Sequence, residues 1–387
     1  MKKIYSFTVA AVAIIAAVSC NKELSNKNFL GETIVYTASL DGADTKAIIG
    51  TNSSTGNPQS WWEDGDKITL HNGLQPFVFE TTLDVASATA DFTYTGDDFS
   101  AADGVIAVYP SGNYTTDLSA KTVTVNIPTN QEIQQGSFSG DAATAVAYSN
   151  DRTLSFKNVS SLLKFTVKNK GIKSVTFTGT GAKISGDVTV TMNEDGSIAS
   201  ISPKKTEGYV EMYAYGSAGR LKYNTTYYMA VAPYNFVEGF AIEFQYKENG
   251  EKFQVMSYDK PYNLNRNTIL DLGELSDRTV YLDPGTKWAE ANARFAVYYF
   301  ADDQNNGWVD MVPSGHNNGC YKCEIPKGYS NIIFCRMNPN AKENRWENKW
   351  NQSKDLKLLQ DGNNFYKYPS NISNYDKQNG TWSVYER

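Results

Sequence analysis

The sequence predicts an all-β protein, and two features carry this prediction. Aromatic residues are frequent, with 25 Tyr, 18 Phe and 7 Trp in 387 residues, and aromatic side chains are enriched in strands. Short runs alternate apolar and polar residues at a period of two and end at turn residues, as 122–127 does at Pro128. No helix-period pattern exceeds about two turns. Short strands separated by turns are typical of β-sandwiches.

Further strands are predicted wherever a short apolar or alternating run is bounded by turn residues. These runs are 34–40, 67–70, 77–79, 104–109, 162–167, 174–177, 187–191, 227–231, 240–244 and 252–256. One helical turn is expected within 283–293.

The first twenty residues are typical of a bacterial export signal. Lys2 and Lys3 precede an uncharged apolar stretch, and small residues lead into Cys20. The stretch is too short for a stable membrane span. Cys20 stands where lipoprotein signals place the residue that receives lipid, so we expect an outer-membrane, lipid-anchored and surface-exposed protein. An ordinary secretory signal with an incidental Cys20 is the alternative, and residues 21–30 are expected to form a polar tether.

Composition excludes several function classes. The net charge of -6 and the pI of about 5.2 argue against a nucleic-acid partner. Only 2 His argue against His-based catalysis and against a His-rich metal centre. Since no nucleophile elbow, phosphate loop or metalloprotease motif occurs, we expect no enzyme activity, no cofactor and no metal site. One alternative stays open: two carboxylates that meet in the fold could act on glycosides, although no motif marks such a pair.

Three domains follow the tether in this prediction. The first spans 31–150, the second 151–278 and the third 279–387, with a polar link at 276–278. The third differs in composition, because it holds five of the seven Trp and three of the four Cys. Within the first, we interpret the segment from Trp62 to Asp66 as a structural turn below a buried Trp, because Asp-Gly suits a tight turn and a lone acidic turn is weak evidence for a ligand site.

The first two domains resemble the fimbrillin-like proteins of Bacteroidetes. The resemblance covers roughly 30–275 and is carried by 36–40, by Thr45-Lys46-Ala47, by Trp62-Glu63-Asp64-Gly65-Asp66 and by 154–165. It implies two β-sandwiches in a pilus subunit or a surface lipoprotein. Pilus subunits of this kind polymerise by strand exchange after proteolysis, and the absence of Arg from 21–45 argues against that type.

The third domain resembles the starch-binding modules of carbohydrate-binding family twenty-six. The resemblance is carried by a Tyr-rich strand, 295–300, by Trp308 with Met311, and by Asn351-Gln352-Ser353. The chain departs from the family at Trp308-Val309-Asp310 and by an insertion at 336–349. The resemblance implies a β-sandwich that binds α-glucan. We therefore expect a non-catalytic surface glycan binder, with a fimbrial tip, anchor or adhesin subunit as the alternative.

Aromatic rings and amides are the groups that a sugar site requires. Pyranose rings present apolar faces for stacking, and their hydroxyls need polar partners. By resemblance, a strand Tyr and Trp308 form the platform, with Asn351 and Gln352 as hydrogen-bond partners. The alternation of side chains puts Tyr298 and Tyr299 on opposite faces, so the choice between them stays open. Burial of these aromatics in a core is the alternative. Trp346 and Trp350, four residues apart, are candidates for a second platform.

The cysteines of the third domain allow two interpretations. If Lys327-Gly328 is a two-residue turn, Cys320 faces Cys335 across a hairpin, and an exported protein permits a disulfide there. Cys323 would then be left over. His316 with the three Cys also mimics a zinc set, although the spacing fits no finger pattern.

Overall fold

A computed structural model describes residues 32–40, 49–51, 58–101, 104–133, 139–142, 144–216, 218–315, 319–369 and 380–385. The predicted signal, its Cys20, the tether 21–30 and His316 lie outside these residues. Regular structure is almost entirely β, and the described part holds one α-helix of five residues, α1 (Gly285–Ala289). The all-β prediction is therefore confirmed. No helix within the described ranges is long and apolar enough to cross a membrane.

The described residues form thirty-three strands. Up to residue 158 they are β1 (Thr33–Leu40), β2 (Ile49–Thr51), β3 (Pro58–Ser60), β4 (Lys67–His71), β5 (Pro76–Thr81), β6 (Thr89–Thr95), β7 (Val105–Tyr109), β8 (Thr115–Asp117), β9 (Thr122–Ile127), β10 (Asn130–Glu132), β11 (Ala145–Ser149) and β12 (Thr153–Asn158). Up to residue 275 they are β13 (Ser161–Val167), β14 (Ser174–Thr178), β15 (Ser185–Met192), β16 (Ile198–Glu207), β17 (Tyr209–Tyr213), β18 (Thr225–Val231), β19 (Tyr234–Phe236), β20 (Phe240–Gln245), β21 (Lys252–Tyr258), β22 (Tyr262–Leu264) and β23 (Ile269–Leu275).

The remaining strands form the third unit. They are β24 (Thr279–Asp283), β25 (Arg294–Phe300), β26 (Asn306–Asp310), β27 (Val312–Pro313), β28 (Tyr321–Glu324), β29 (Asn331–Met337), β30 (Lys349–Gln352), β31 (Leu356–Lys357), β32 (Phe365–Lys367) and β33 (Thr381–Ser383). Four 3₁₀ turns complete the described structure: Gly140–Ala142, Glu290–Asn292, Trp346–Asn348 and Gln360–Gly362.

Seven strands of the first unit close into a barrel in the order β1-β12-β11-β7-β4-β5-β6. Alternating burial supports this closure. In strand β5, Phe77 and Phe79 are buried while Val78 between them is exposed, so one face of the strand points into the barrel. The predicted boundary at 150/151 would assign β12 to the second unit. In the structure, β12 pairs with β1 and β11, so this strand, up to Asn158, belongs to the barrel of the first unit.

The turn from Trp62 to Asp66 is structural, as predicted. Trp62 is fully buried, and the Asp66 carboxylate accepts hydrogen bonds from the Glu63 backbone N–H at 2.7 Å and from the Tyr109 hydroxyl at 3.0 Å. Gly65 has a φ of +76°, a conformation that glycine adopts without strain. The Trp62 ring meets three aromatic rings edge-on, at 4.9, 5.3 and 5.5 Å: Phe92, Tyr109 and Phe156.

A four-stranded sheet, β16-β15-β9-β8, covers the outside of the barrel. It joins strands from both sides of residue 150, because β9 pairs with β15. Buried aliphatic residues of β7, β9, β11 and β15 form this layer: Ile106, Val108, Val123, Val125, Val146, Val188 and Val190. The second unit proper is built from the sheets β10-β17-β14-β20-β21 and β18-β13-β23 around their own core.

The third unit is a β-sandwich. Its sheets are β27-β28-β24-β32-β33 and β26-β25-β29-β30, and a core that contains Trp288, Phe295 and Phe334 lies between them. Within the link at 276–278, Asp277 is buried. The Asp277 carboxylate accepts from the Tyr246 hydroxyl at 2.8 Å on one side and from the Thr279 N–H at 2.9 Å on the other.

Candidate functional site

The outer face of the sheet β26-β25-β29-β30 carries the predicted site. In β25, Phe295 and Val297 point into the sandwich core. Tyr298 lies on the opposite face with Ala296 and Phe300. Since side chains alternate along a strand, this face of β25 is directed away from the sandwich core. It carries a small buried cluster of its own, Ala296, Ile333, Cys335 and Met337, which Tyr298, Phe300 and Trp308 cover.

Three aromatic rings, Tyr298, Trp308 and Trp346, meet on this face and form an aromatic platform. Tyr298 and Trp308 are directly paired across β25 and β26, with ring centroids 5.0 Å apart. Trp346 lies 4.7 Å from Tyr298 and 4.8 Å from Trp308. The rings are inclined to one another by 57° to 67°, so together they form a cupped surface.

The platform is open to solvent. Trp346 is 42% exposed, and Tyr298 and Trp308 are half-buried. Partial burial raises the pKa of Tyr298, and the negative charge of Asp303 raises it further, so the Tyr298 hydroxyl stays protonated at neutral pH. It can therefore donate a hydrogen bond as well as accept one.

Tyr299 belongs to the inner side of the sheet, which resolves the choice that the sequence left open. Its ring packs on the rim of the sandwich core, 4.5 Å from the Tyr329 ring. Gly307 faces it across the strands, and a Cβ at Gly307 would lie 2.5 Å from the Tyr299 hydroxyl. The ring thus occupies the space that the glycine leaves. Of the two tyrosines, only Tyr298 contributes to the platform.

The two amides of the predicted site lie on different sides of β30. Gln352 is paired with Cys335 of the outer face, and its Oε1 accepts a hydrogen bond from the Lys349 ammonium. That ammonium also lies 5.1 Å over the Trp346 ring, so Gln352 borders the platform. Asn351 faces the other way, since its Oδ1 accepts from the Arg336 guanidinium at 3.3 Å. Of the two amides expected as hydrogen-bond partners of a sugar, the structure therefore brings Gln352, and not Asn351, to the platform face.

Trp346 reaches the platform because the insertion after β29 is held in place. Arg294 donates to the backbone carbonyls of Ala341 and Glu343, each at 2.9 Å. Its guanidinium also pairs with Asp310 at 3.0 Å, and Asp310 accepts from the Asn344 amide at 3.1 Å. Asp310 and the insertion are the two departures from the starch-binding pattern, and they contact each other. Arg294 was not expected from the sequence, because it acts through backbone carbonyls of the insertion.

Trp346 and Trp350 do not form a separate second platform. Trp346 joins Tyr298 and Trp308, whereas Trp350 is stacked on the Arg336 guanidinium at 4.7 Å. Arg336 is buried and donates to the backbone carbonyls of Trp288 and Glu290 at 2.7 and 2.6 Å. Trp346 begins a 3₁₀ turn, and Trp350 lies in strand β30. Because the two residues do not share one helix, their spacing of four does not bring the rings to the same face.

The predicted disulfide between Cys320 and Cys335 does not form. Cys320 packs near Tyr281 and Tyr385 on the outside of one sheet, and Cys335 lies below the platform on the outside of the other. The adjoining strands β28 and β29 belong to different sheets. Cys320, Cys323 and Cys335 are buried free thiols. Within the described ranges, no group of three or more His, Cys, Asp or Glu residues could hold a metal ion.

Comparisons with known proteins give structural neighbours only. No family model and no curated protein matches the chain. A proposed cell adhesion protein of Bacteroides ovatus matches over 62% of this chain and 95% of its own, at 11% identity and a TM-score of 0.37. A proposed cell adhesion protein of Bacteroides uniformis matches over 73% and 97%, at 14% identity and 0.32. The tip fimbrial protein of Porphyromonas gingivalis matches over 72% and 98%, at 7% identity and 0.25. Likeness at this level carries no argument about family or function.

Proposed function

We propose that the chain is a non-catalytic cell-surface lipoprotein whose third unit binds carbohydrate, an α-glucan, at the aromatic platform. The observation that carries the proposal is the convergence of Tyr298, Trp308 and Trp346 on the face of a sheet that points away from the core. Tyr298 and Trp308 also cover a small buried cluster that includes Ile333 and Cys335, but Trp346 is not part of that cluster and is 42% exposed. Clustered, partly exposed aromatic rings are suited to stacking on sugar faces.

The inclination of the rings favours a curved glycan. Rings that lie 57° to 67° from one another cannot all stack on a flat, ribbon-like chain. A chain that turns from one residue to the next, as an α-1,4 glucan does, can present successive sugar faces to them. Lys349 and Gln352 at one border and the Tyr298 hydroxyl at the centre supply polar groups for sugar hydroxyls.

The location of the proposed function follows from the export signal. Lipid on Cys20 would hold the chain at the outer membrane, and the first two units would separate the platform from the lipid. The second candidate is a fimbrial tip, anchor or adhesin subunit. Cell adhesion and fimbrial roles are ascribed to the neighbours from Bacteroides and Porphyromonas, and such a subunit would assemble with other chains.

Migration through native gels that contain polysaccharide tests the proposal. The purified chain is run in gels with amylopectin, with amylose, with dextran or without polysaccharide. We expect retardation by amylopectin and amylose alone, which Trp308→Ala and Trp346→Ala each abolish. Trp350→Ala is the matched control, because Trp350 is similarly exposed but lies against Arg336, outside the platform. Unchanged migration in every gel would refute the proposal and leave the fimbrial candidate first.

A further inference from the structure

A cavity lies in the second unit, away from the aromatic platform. Its volume is about 970 Å³. The floor is the outer face of the sheet β10-β17-β14-β20-β21, where Ser174, Tyr213 and Gln245 are directly paired across three strands. The walls are the loop after β17, which carries Tyr215, and the β20–β21 hairpin, which carries Glu248.

A buried ammonium group lies at this cavity. Lys173 is only 8% exposed, and its Nζ donates to the backbone carbonyls of Ala214 and Gly216. An ammonium has three donors, so one donor is left after these two bonds. None of the ion pairs between described residues involves Lys173. Since a charge that leaves water needs compensation, a negatively charged group in the cavity would be stabilised there.

The remaining lining suits a hydroxyl-rich ring. The Tyr215 side chain is 75% exposed at the wall and offers a free aromatic face. Glu211 and Glu248 line the same cavity, and carboxylates accept hydrogen bonds from hydroxyls. The floor is already ordered, because Gln245 accepts from Ser174 at 3.0 Å and donates to the Gly250 carbonyl at 2.8 Å. A rigid floor lowers the entropy cost of binding.

From this arrangement we infer that the cavity binds an acidic sugar residue, one that bears a carboxylate. The carboxylate would pair with Lys173, the sugar ring would stack on Tyr215, and the hydroxyls would donate to Glu211 and Glu248. A neutral sugar would leave the ammonium uncompensated. A simple anion would place its charge near two carboxylates without offering them a donor. The inference is independent of the platform, which lies in another unit.

Two methyl glycosides that differ only in the carboxylate provide the test. Methyl glucuronide and methyl glucoside are titrated by calorimetry into the full chain that carries Trp308→Ala and Trp346→Ala, so that the platform does not contribute. We expect the glucuronide to bind at least about tenfold more tightly, as a charge-assisted hydrogen bond to a buried ammonium would give. Tyr215→Ala should weaken the binding of both glycosides.

Lys173→Met should remove most of the preference for the glucuronide, because the other lysine that lines the cavity, Lys252, already donates to the Thr176 hydroxyl at 3.0 Å. Lys247→Met is the matched control, because this exposed lysine lies on the same hairpin as Glu248 but does not line the cavity. If Lys173→Met does not fold, the affinities of the two glycosides for the chain with an unaltered cavity still test the inference. Equal affinity for both, or binding of neither, would overturn the inference. Equal binding of N-acetylalanine, a carboxylate without a sugar ring, would overturn the assignment to a sugar.

Discussion

At the residue scale, two neighbouring tyrosines are expected to have different roles, one in glycan binding and the other in core packing. Tyr298 contacts the platform rings, whereas Tyr299 packs against Tyr329 on the inner side. We expect Tyr298→Ala to weaken amylopectin binding at least about tenfold, because one of three stacking rings is lost. Tyr299→Ala should instead lower the free energy of unfolding by about 1–3 kcal/mol, because packing is lost. Gel retardation and urea unfolding measure the two effects.

An exchange of the two effects would contradict this assignment. If Tyr299→Ala abolished binding while Tyr298→Ala only lowered stability, the platform would be placed on the wrong face of β25. Tyr321→Ala is the control for a loss of packing without a loss of binding. Tyr321 packs against the core of the same unit, 4.6 Å from Phe295, and is not part of the platform, so this variant should lower stability and keep full retardation in the gel.

The buried thiols make the stability of the third unit pH-dependent. Burial raises the pKa of Cys335 to about 12 and raises the pKa of Cys323 as well. In the unfolded chain a thiol has a pKa of about 8.5. Above that pH the unfolded state loses protons that the folded state keeps, so the free energy of unfolding should fall between about pH 8.5 and pH 12.

Urea unfolding at pH 7.5 and pH 10, followed by Trp fluorescence, measures this fall. In the variant Cys335→Ala the difference between the two pH values should be smaller, because one thiol no longer titrates. An unchanged difference would show that other groups cause it. Three reactive thiols from 320, 323 and 335 in the unfolded, unreduced chain would also confirm that no disulfide joins Cys320 to Cys335.

At the element scale, Arg294 connects the insertion to the sheet below the platform. Its bonds to Ala341, Glu343 and Asp310 hold the segment that carries Trp346. We expect Arg294→Met to reduce amylopectin binding to the level of Trp346→Ala, because the ring is no longer fixed beside Tyr298. Stability should fall by about 1–3 kcal/mol, since hydrogen-bonded groups lose a charged partner.

The control for this prediction is Arg345→Met. Arg345 pairs with Glu343 at 2.7 Å, but both side chains are mostly exposed, and such surface pairs contribute little. It should bind and unfold like the unaltered chain. If Arg294→Met kept full retardation in the gel, Trp346 would be held by the platform rings themselves and not by the insertion.

Individual strands were predictable, but their neighbours were not. Alternation in 122–127 predicted β9 and its buried face correctly, and the same rule separated Tyr298 from Tyr299. The hairpin through Lys327-Gly328 was wrong, because β28 pairs with β24 and β27 while β29 pairs with β25 and β30. A period of two fixes the face of a side chain within a strand. It carries no information about which distant strand lies alongside.

The candidate site was predictable only in part for the same reason. Trp308 and a strand Tyr were named from the resemblance to starch-binding modules, and in the structure they lie on strands that pair directly. Trp346 comes from an insertion that the resemblance did not cover, and Arg294 acts through backbone carbonyls that no pattern marks. Asn351 could not be separated from Gln352, because the pairing of Gln352 with Cys335 decides which amide borders the outer face, and the sequence does not show that pairing.

At the scale of the whole molecule, closure of the barrel decides how the chain can assemble. Strand β1 lies between β6 and β12, paired antiparallel with one and parallel with the other. A closed barrel presents no unpaired strand edge to another chain. Ile34, Tyr36 and Ala38 of β1 also contribute to the barrel core. Assembly by strand exchange at this barrel would therefore require β1 to leave it.

With β1 in place, the closed barrel offers no free strand edge, so we expect the chain to be a monomer. The chain from residue 32 should sediment as a monomer at micromolar concentration, because β1 is in place. A chain that starts at residue 41 should expose the edges of β6 and β12, lose three core side chains and self-associate or unfold. A synthetic peptide of residues 32–40 should restore the monomer. Polymers of the chain from residue 32, formed without loss of β1, would contradict the monomer and favour the fimbrial candidate.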